Sequence, residues 1–216
     1  SGKRRECWVP QPYLKELQGI VNKLLRLYKI TGVSSFSTLF IKNIVRSREY
    51  ETVLSMDIKD FYPSVKADII VNELFFLMKG IEYIKSKEKP ATLINIEQMF
   101  LMLFTHDGFL PQGAPSSPYI ADIVMHRPDA YFRNYLNKYI PGATYLRYVD
   151  NFFILLPSGT TSEQVKKFQG TVHNKLNEYG LKLNNKKTSW MKSNQAMNIL
   201  GMTSVPVQQK EVEYIQ

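Results

Sequence analysis

The segment Thr144–Pro157, TYLRYVDNFFILLP, decides how this chain is read. Two short apolar runs flank Asp150-Asn151, and Asx residues tolerate the positive φ of a tight turn. The spacing therefore predicts an antiparallel hairpin with Asp150-Asn151 as its two-residue tip. Upstream, Thr52–Val65 reads TVLSMDIKDFYPSV. Its period-two pattern puts Leu54, Met56 and Ile58 on one face and Val53, Ser55 and Asp57 on the other, so Asp57 projects from a strand opposite the apolar stripe. Acids converging from separate strands are what nucleotidyl transfer requires, because two divalent cations about 3.5–4 Å apart must be held at one point. Taken singly each acid has a plain structural reading: Asp150-Asn151 is a good turn, and Asp57 a solvated strand residue.

Composition sets the frame. The chain has 216 residues with 44% hydrophobic content, enough for one large or two small domains with a buried core. Lys and Arg number 28 against 19 Asp and Glu, a formal charge of +9 that favours a polyanionic partner. No apolar run approaches the roughly 18 residues needed to span a bilayer, so no membrane role is expected and a cytoplasmic location fits. A single cysteine, Cys7, excludes an internal disulfide, has no zinc-ligand cluster around it and is expected as a packed hydrophobe.

Helical periodicity marks Tyr13–Tyr28, Lys66–Met78, Ile96–Phe104, Pro118–Tyr139 with a kink near Pro128, and Ser162–Tyr179 closed by Gly180. Leu181–Met191 reads as a further strand, short strands follow from Ile199, and the KSKEKP run at 85–90 reads as an exposed loop. Helices crossing an antiparallel sheet give an α+β class.

Between the two acids lies Gly108–Pro118, GFLPQGAPSSP, a Gly- and Pro-rich loop that runs into a helix. Such a loop lets backbone approach a nucleotide, with Gln112 in reach of a base or sugar; as pure structure it is a loop with Ser117 as helix cap. Downstream, GLKLNNKKT places Lys182, Lys186 and Lys187 near a strand end. There one of them can neutralise phosphate or protonate pyrophosphate, or all can form a solvated basic face.

In this order, DIKDFYPSV, LPQGAPSSP, YVDN, GLKLNNKKT and ILGM resemble the reverse transcriptase family, in particular its bacterial retron-type members. They stand where that family has motif A, motif B, the YxDD box, motif D and the start of motif E, and KRRECWVPQPYLKELQ resembles the stretch leading into its fingers. The resemblance covers nearly the whole chain and implies a right-hand polymerase: residues 1–52 part of the fingers, 53–65 motif A of the palm, 66–107 fingers and palm helices, and 108–216 the rest of an antiparallel palm. It further implies RNA-directed DNA synthesis on an RNA template, extending a DNA or RNA primer with dNTPs and two Mg²⁺ ions. Asp57 and Asp150 would bind the metals with the Ile58 carbonyl, and Tyr62 would be the steric gate against a ribose 2′-hydroxyl. Gln112 and Gly113 would line the nucleotide pocket, Lys187 would be the motif D lysine, and Tyr148 would lie at the primer terminus. Lys42, Arg46 and Arg48 fall where the family clamps the triphosphate.

The chain departs from the family pattern at Asn151, where the box has a second aspartate. An amide keeps one oxygen ligand but loses a full charge, which weakens Mg²⁺ occupancy and makes Mn²⁺ an alternative ion. Three readings stay open: an active variant, a degenerate domain, and an engineered knockout. The family also continues into a helical thumb, so a chain ending at Gln216 leads one to expect no thumb, and a partner protein or oligomer that supplies the grip. The leading expectation is a polymerase module. Its rivals are a reverse-transcriptase-like domain that binds nucleic acid or assembles without polymerising, and untemplated or protein-primed synthesis.

Overall fold

The computed structural model describes residues 7–27, 50–78 and 90–192, together with the backbone of 197–199 and 202–204. Lys42, Arg46 and Arg48, and the predicted loop at 85–89, lie outside these residues. The elements run α1 (Pro12–Leu27), β1 (Thr52–Asp57), α2 (Phe61–Ser64), α3 (Ala67–Met78), α4 (Pro90–Phe104), α5 (Ser117–Tyr139), β2 (Thr144–Tyr148), β3 (Asn151–Leu156), α6 (Ser162–Glu178), a 3-10 turn at Asn185–Lys187, β4 (Ser189–Lys192), β5 (Met197–Ile199) and β6 (Met202–Ser204).

β1 to β4 form one antiparallel sheet in the order β2-β3-β1-β4, and β5 and β6 pair as a separate hairpin. The period-two pattern of β1 sorts its residues between two packed faces. Leu54 and Met56 join the main core with Ile70 and Leu74 of α3, Ile120, Val124 and Phe132 of α5, and Phe168 of α6. Val53, on the opposite face, is fully buried with Leu146, Phe153 and Leu155. The central strands are thus apolar on both sides, which explains the near-continuous run of hydrophobics in β3. The face opposite the apolar stripe is packed rather than solvated along most of β1, and Asp57 at its end is itself only 4% exposed.

Local chemistry sets the ends of the elements. α6 opens with a reciprocal capping box between Thr161 and Gln164. It closes with the Gly180 amide donating to Asn177 O and the Leu181 amide to Leu176 O, with Gly180 at φ +67, the left-handed exit that favours glycine. α5 keeps its helical form through the buried Pro128. Three expectations change. Ser117 does not cap α5: the cap position is Ser116, and the Ser117 hydroxyl donates back to the Pro111 carbonyl, tying the loop to the helix. Leu181–Met191 is not one strand, because Leu183 makes a single bridge to Ile58 before the polar Asn184–Lys187 run curls into the 3-10 turn. Cys7 is exposed rather than packed. Among the described residues no helix is long and apolar enough to cross a membrane.

Candidate active site

Register brings the two acidic segments together. β1 and β3 are antiparallel neighbours with Asp57 directly opposite Asn151, and the Ile58 amide donates to the Asp150 carbonyl at 2.9 Å. Asp57, Ile58, Tyr62, Gln112, Tyr148, Asp150 and Lys187 all line one cleft of about 1170 Å³. Gly113 is not a wall of that cleft: at φ +104 it packs on the Cys7–Trp8 backbone, and a Cβ there would meet Trp8 O at 3.2 Å. The Trp8 amide donates to Gln112 O at 2.8 Å, so the segment at Trp8, itself a wall of the cleft, holds the loop.

Asp57 is held from a distant part of the sequence. Lys187 Nζ donates to its Oδ2 at 2.9 Å and Asn184 Nδ2 to its Oδ1 at 3.2 Å, while the Asn184 amide donates to its backbone carbonyl at 2.7 Å. Asp57 is shielded while Lys187 is 57% exposed, so the ammonium reaches in from solvent. Tyr62 is half-buried beside the fully core Phe61. Its hydroxyl is pushed up to about 12, first by burial and then by the negative charges of Asp150 and Asp122, so it stays protonated and able to donate.

The hairpin tip differs from the predicted Asp150-Asn151 pair. Tyr148 and Asn151 face each other as the closing rung, so the turn is Val149-Asp150 and Asn151 belongs to β3. Val149 sits at φ +55, a disfavoured conformation for a β-branched side chain. Asn151 Nδ2 donates to Asp150 Oδ1 at 2.8 Å, a contact that a second ionised carboxylate could not make.

Behind the turn lies a charged cluster that the sequence reading missed. Arg147 is fully buried. Its Nε donates to both carboxylate oxygens of Asp129 at 3.1 and 3.0 Å, its Nη2 contacts Asp122 Oδ1 and Asp129 Oδ2 at 3.0 Å, and its Nη1 donates to Val149 O at 2.8 Å. Tyr145 Oη also donates to Asp129 Oδ1 at 2.6 Å. Burial pulls the guanidinium down, but Asp129 and Asp122 together outweigh it and hold its pKa above the ordinary value. Burial likewise raises the Asp122 carboxyl, against the pull of Arg147. A signal was present: Asp122 and Asp129 are two helical turns apart on one face of α5, and a charged residue inside an apolar strand needs such partners.

The donor set suits a hard divalent cation. Among the described residues no three His, Cys, Asp or Glu side chains cluster to hold a metal, but the carboxylates of Asp57 and Asp150 line one cleft together with Ile58, whose carbonyl is a further oxygen donor. That fits Mg²⁺, which is commonly held by one or two carboxylates and completes its octahedron with water and substrate phosphates.

The family model for reverse transcriptase (RNA-dependent DNA polymerase) matches residues 1–204. Among curated proteins, the chain is 28% identical over 192 residues to the retron Ec86 reverse transcriptase of Escherichia coli, an alignment covering 86% of this chain and 54% of that protein. It is 26% identical over 208 residues to the retron Se72 reverse transcriptase of Salmonella heidelberg, covering 94% and 51%. The chain thus spans about half the length of these relatives. Among solved structures, apo telomerase from Candida tropicalis truncated from its C-terminal domain superposes with a TM-score of 0.62 at 14% identity, covering 89% of this chain and 43% of that one. Telomerase from the same organism in complex with a fragment of telomeric RNA gives 0.57 at 15%, covering 88% and 35%. These likenesses speak to the fold, that of a polymerase palm. Together with the match along residues 1–204, they establish that this chain belongs to the reverse transcriptase family and has retron-type enzymes among its relatives.

Proposed function

We propose that this chain is the fingers and palm module of an RNA-directed DNA polymerase, extending a primer 3′-hydroxyl with dNTPs on an RNA template. The observation that carries the reading is the meeting in one cleft of Asp57, at the end of β1, and Asp150, in the turn between β2 and β3, with Lys187 and Tyr62 in the same cleft. In this reading residues 53–65 and 108–216 form the palm, while 1–52 and 66–107 supply fingers and supporting helices. Asp57, Asp150 and the Ile58 carbonyl would hold two Mg²⁺ ions, which when bound activate the attacking hydroxyl and neutralise the triphosphate during in-line displacement. Lys187, which donates to Asp57 at 2.9 Å, would give a proton or positive charge to the leaving pyrophosphate. The protonated Tyr62 ring crowds the sugar and selects against a 2′-hydroxyl, Gln112 contacts the nucleotide, and Tyr148 faces the primer end. The charge of +9 serves the phosphate backbones, making binding salt-sensitive.

A second reading, a nucleic-acid-binding domain that does not polymerise, is favoured by one contact. The Asn151 amide donates to Asp150 Oδ1, engaging an oxygen that a cation would use. Primer extension on an RNA template, in Mg²⁺ and then Mn²⁺, compares the parent with Asn151→Asp and Asp57→Ala. Extension by the parent that Asp57→Ala abolishes supports the polymerase. Extension by Asn151→Asp alone identifies Asn151 as the block on a competent site, and silence from all three overturns polymerisation by this chain on its own.

A further inference from the structure

The turn that carries Asp150 is held at two consecutive carbonyls. The Ile58 amide of the neighbouring strand takes the Asp150 carbonyl, and Arg147 Nη1 takes that of Val149, at 2.8 Å. Val149 is the residue at φ +55, so the hydrogen bond falls on the one peptide unit that the hairpin must hold against its own preference. The rest of the guanidinium is committed elsewhere. Nε and Nη2 grip Asp129, which is fully buried, and Nη2 also reaches Asp122, so α5 fixes the plane of the fork and leaves Nη1 pointing at the turn. Being fully buried, Arg147 is not placed to touch substrate or cation, and its direct contact with the turn is the hydrogen bond to the Val149 carbonyl.

Resting on the polymerase reading above, we propose that Arg147 is a positioning residue: clamped by Asp129 and Asp122, it holds the Val149 carbonyl and so maintains the strained turn that aims the Asp150 carboxylate into the metal-binding cleft. A five-donor fork is required for this, because one cation must satisfy two carboxylates and a carbonyl in fixed directions, which a lysine ammonium cannot do. The chemical identity of residue 149 matters for the same reason, since a β-branched side chain raises the need for the clamp and a glycine removes it.

The test reads Mn²⁺ binding by electron paramagnetic resonance alongside primer extension, in the parent, Asp57→Ala, Arg147→Lys, Asp122→Asn, and Arg147→Lys combined with Val149→Gly. Outer-shell partners of metal ligands are typically worth about 10–100-fold in affinity or activity, so Arg147→Lys should weaken Mn²⁺ binding and kcat within that range while KM for dNTP changes less than about twofold. Val149→Gly in that background should recover several-fold of the loss, because glycine adopts the turn without the clamp. Asp122→Asn keeps the side-chain shape and decides the matter if Arg147→Lys fails to fold: a few-fold weaker Mn²⁺ affinity is expected, read well below the melting transition of the variant. A lower melting temperature with unchanged Mn²⁺ affinity and kcat, in whichever of the two variants folds, overturns the clamp and leaves an ordinary buried ion pair. If the parent binds Mn²⁺ through Asp57 yet extends no primer, the polymerase reading falls and the clamp is judged on Mn²⁺ affinity alone. A parent that binds no Mn²⁺ through Asp57 overturns both.

Discussion

The two acids of the cleft are presented in opposite ways. Asp57 ends a regular strand paired along its whole length to β3 and over Thr52–Ser55 to β4, and its carboxylate is steadied by Lys187, reaching in from solvent, and by Asn184. Asp150 sits in a turn with a strained neighbour, steadied from the interior by Arg147. The first arrangement sets a partly solvated ammonium against a shielded carboxylate. The second uses buried charge, which is costly to break because removing one partner strands the others without water.

The largest expected effect tests whether both acids serve one reaction. Asp57→Ala and Asp150→Ala should each lower metal-dependent extension by roughly 10³-fold or more, since each removes a ligand from ions worth several kcal/mol of transition-state stabilisation. Equal losses measured as kcat at saturating dNTP would join the two halves, and an effect confined to one acid would separate them. Next, Arg147→Ala should destabilise the fold by about 3–5 kcal/mol in urea titration, as expected for an orphaned buried pair. Lys187→Ala should destabilise less than Arg147→Ala, because its ammonium is 57% exposed whereas Arg147 is fully buried, yet cut kcat by about 10²–10⁴-fold if Lys187 acts as the acid. Similar stability losses in the two would erase the contrast drawn above.

Smaller effects sharpen it further. Val149→Gly should stabilise by up to about 1 kcal/mol, the relief of a left-handed conformation less the entropy of glycine. Asn151→Asp should lower the melting temperature in EDTA, by replacing the donor to Asp150 with a like charge, and reverse sign in excess Mg²⁺ as the added carboxylate gains a cation. The smallest effect is on pH dependence. Asp122 has its pKa raised by desolvation, so the folded state holds the proton more tightly than the unfolded one. Its contribution to stability is therefore fully present below the ordinary value of 3.8 and lost as pH rises through the folded value. Asp122→Asn should flatten that decline in a melting-temperature series from acid to neutral pH.

The strand ending at Asp57 and the hairpin carrying Asp150 were legible because period-two alternation and a turn between apolar runs are written locally in the chain, and the order of the motifs pointed to the family before any geometry. The helix of Ser162–Glu178 was legible to within a residue, since its periodicity and its glycine exit are local chemistry. The failures share a cause. Asn151 was assigned to the turn because Asx residues usually occupy it, whereas pairing to β1 and β2 draws Asn151 into the ladder and leaves Val149 in the left-handed position. Leu181–Met191 reads from sequence as one strand, but Asn184 donates to Asp57 and the chain turns through Asn185–Lys187 before pairing resumes at Ser189. The amino-acid sequence by itself determined the class, the family and the two acidic segments, because these depend on residue type and spacing over a few positions. Tertiary structure alone decided that Lys187 meets Asp57, that Arg147 grips Asp122, Asp129 and the Val149 carbonyl, and which residue bears the strain. Those contacts join segments far apart in sequence or set by register, and their energy exists only once burial has removed the water that would otherwise satisfy each charge separately.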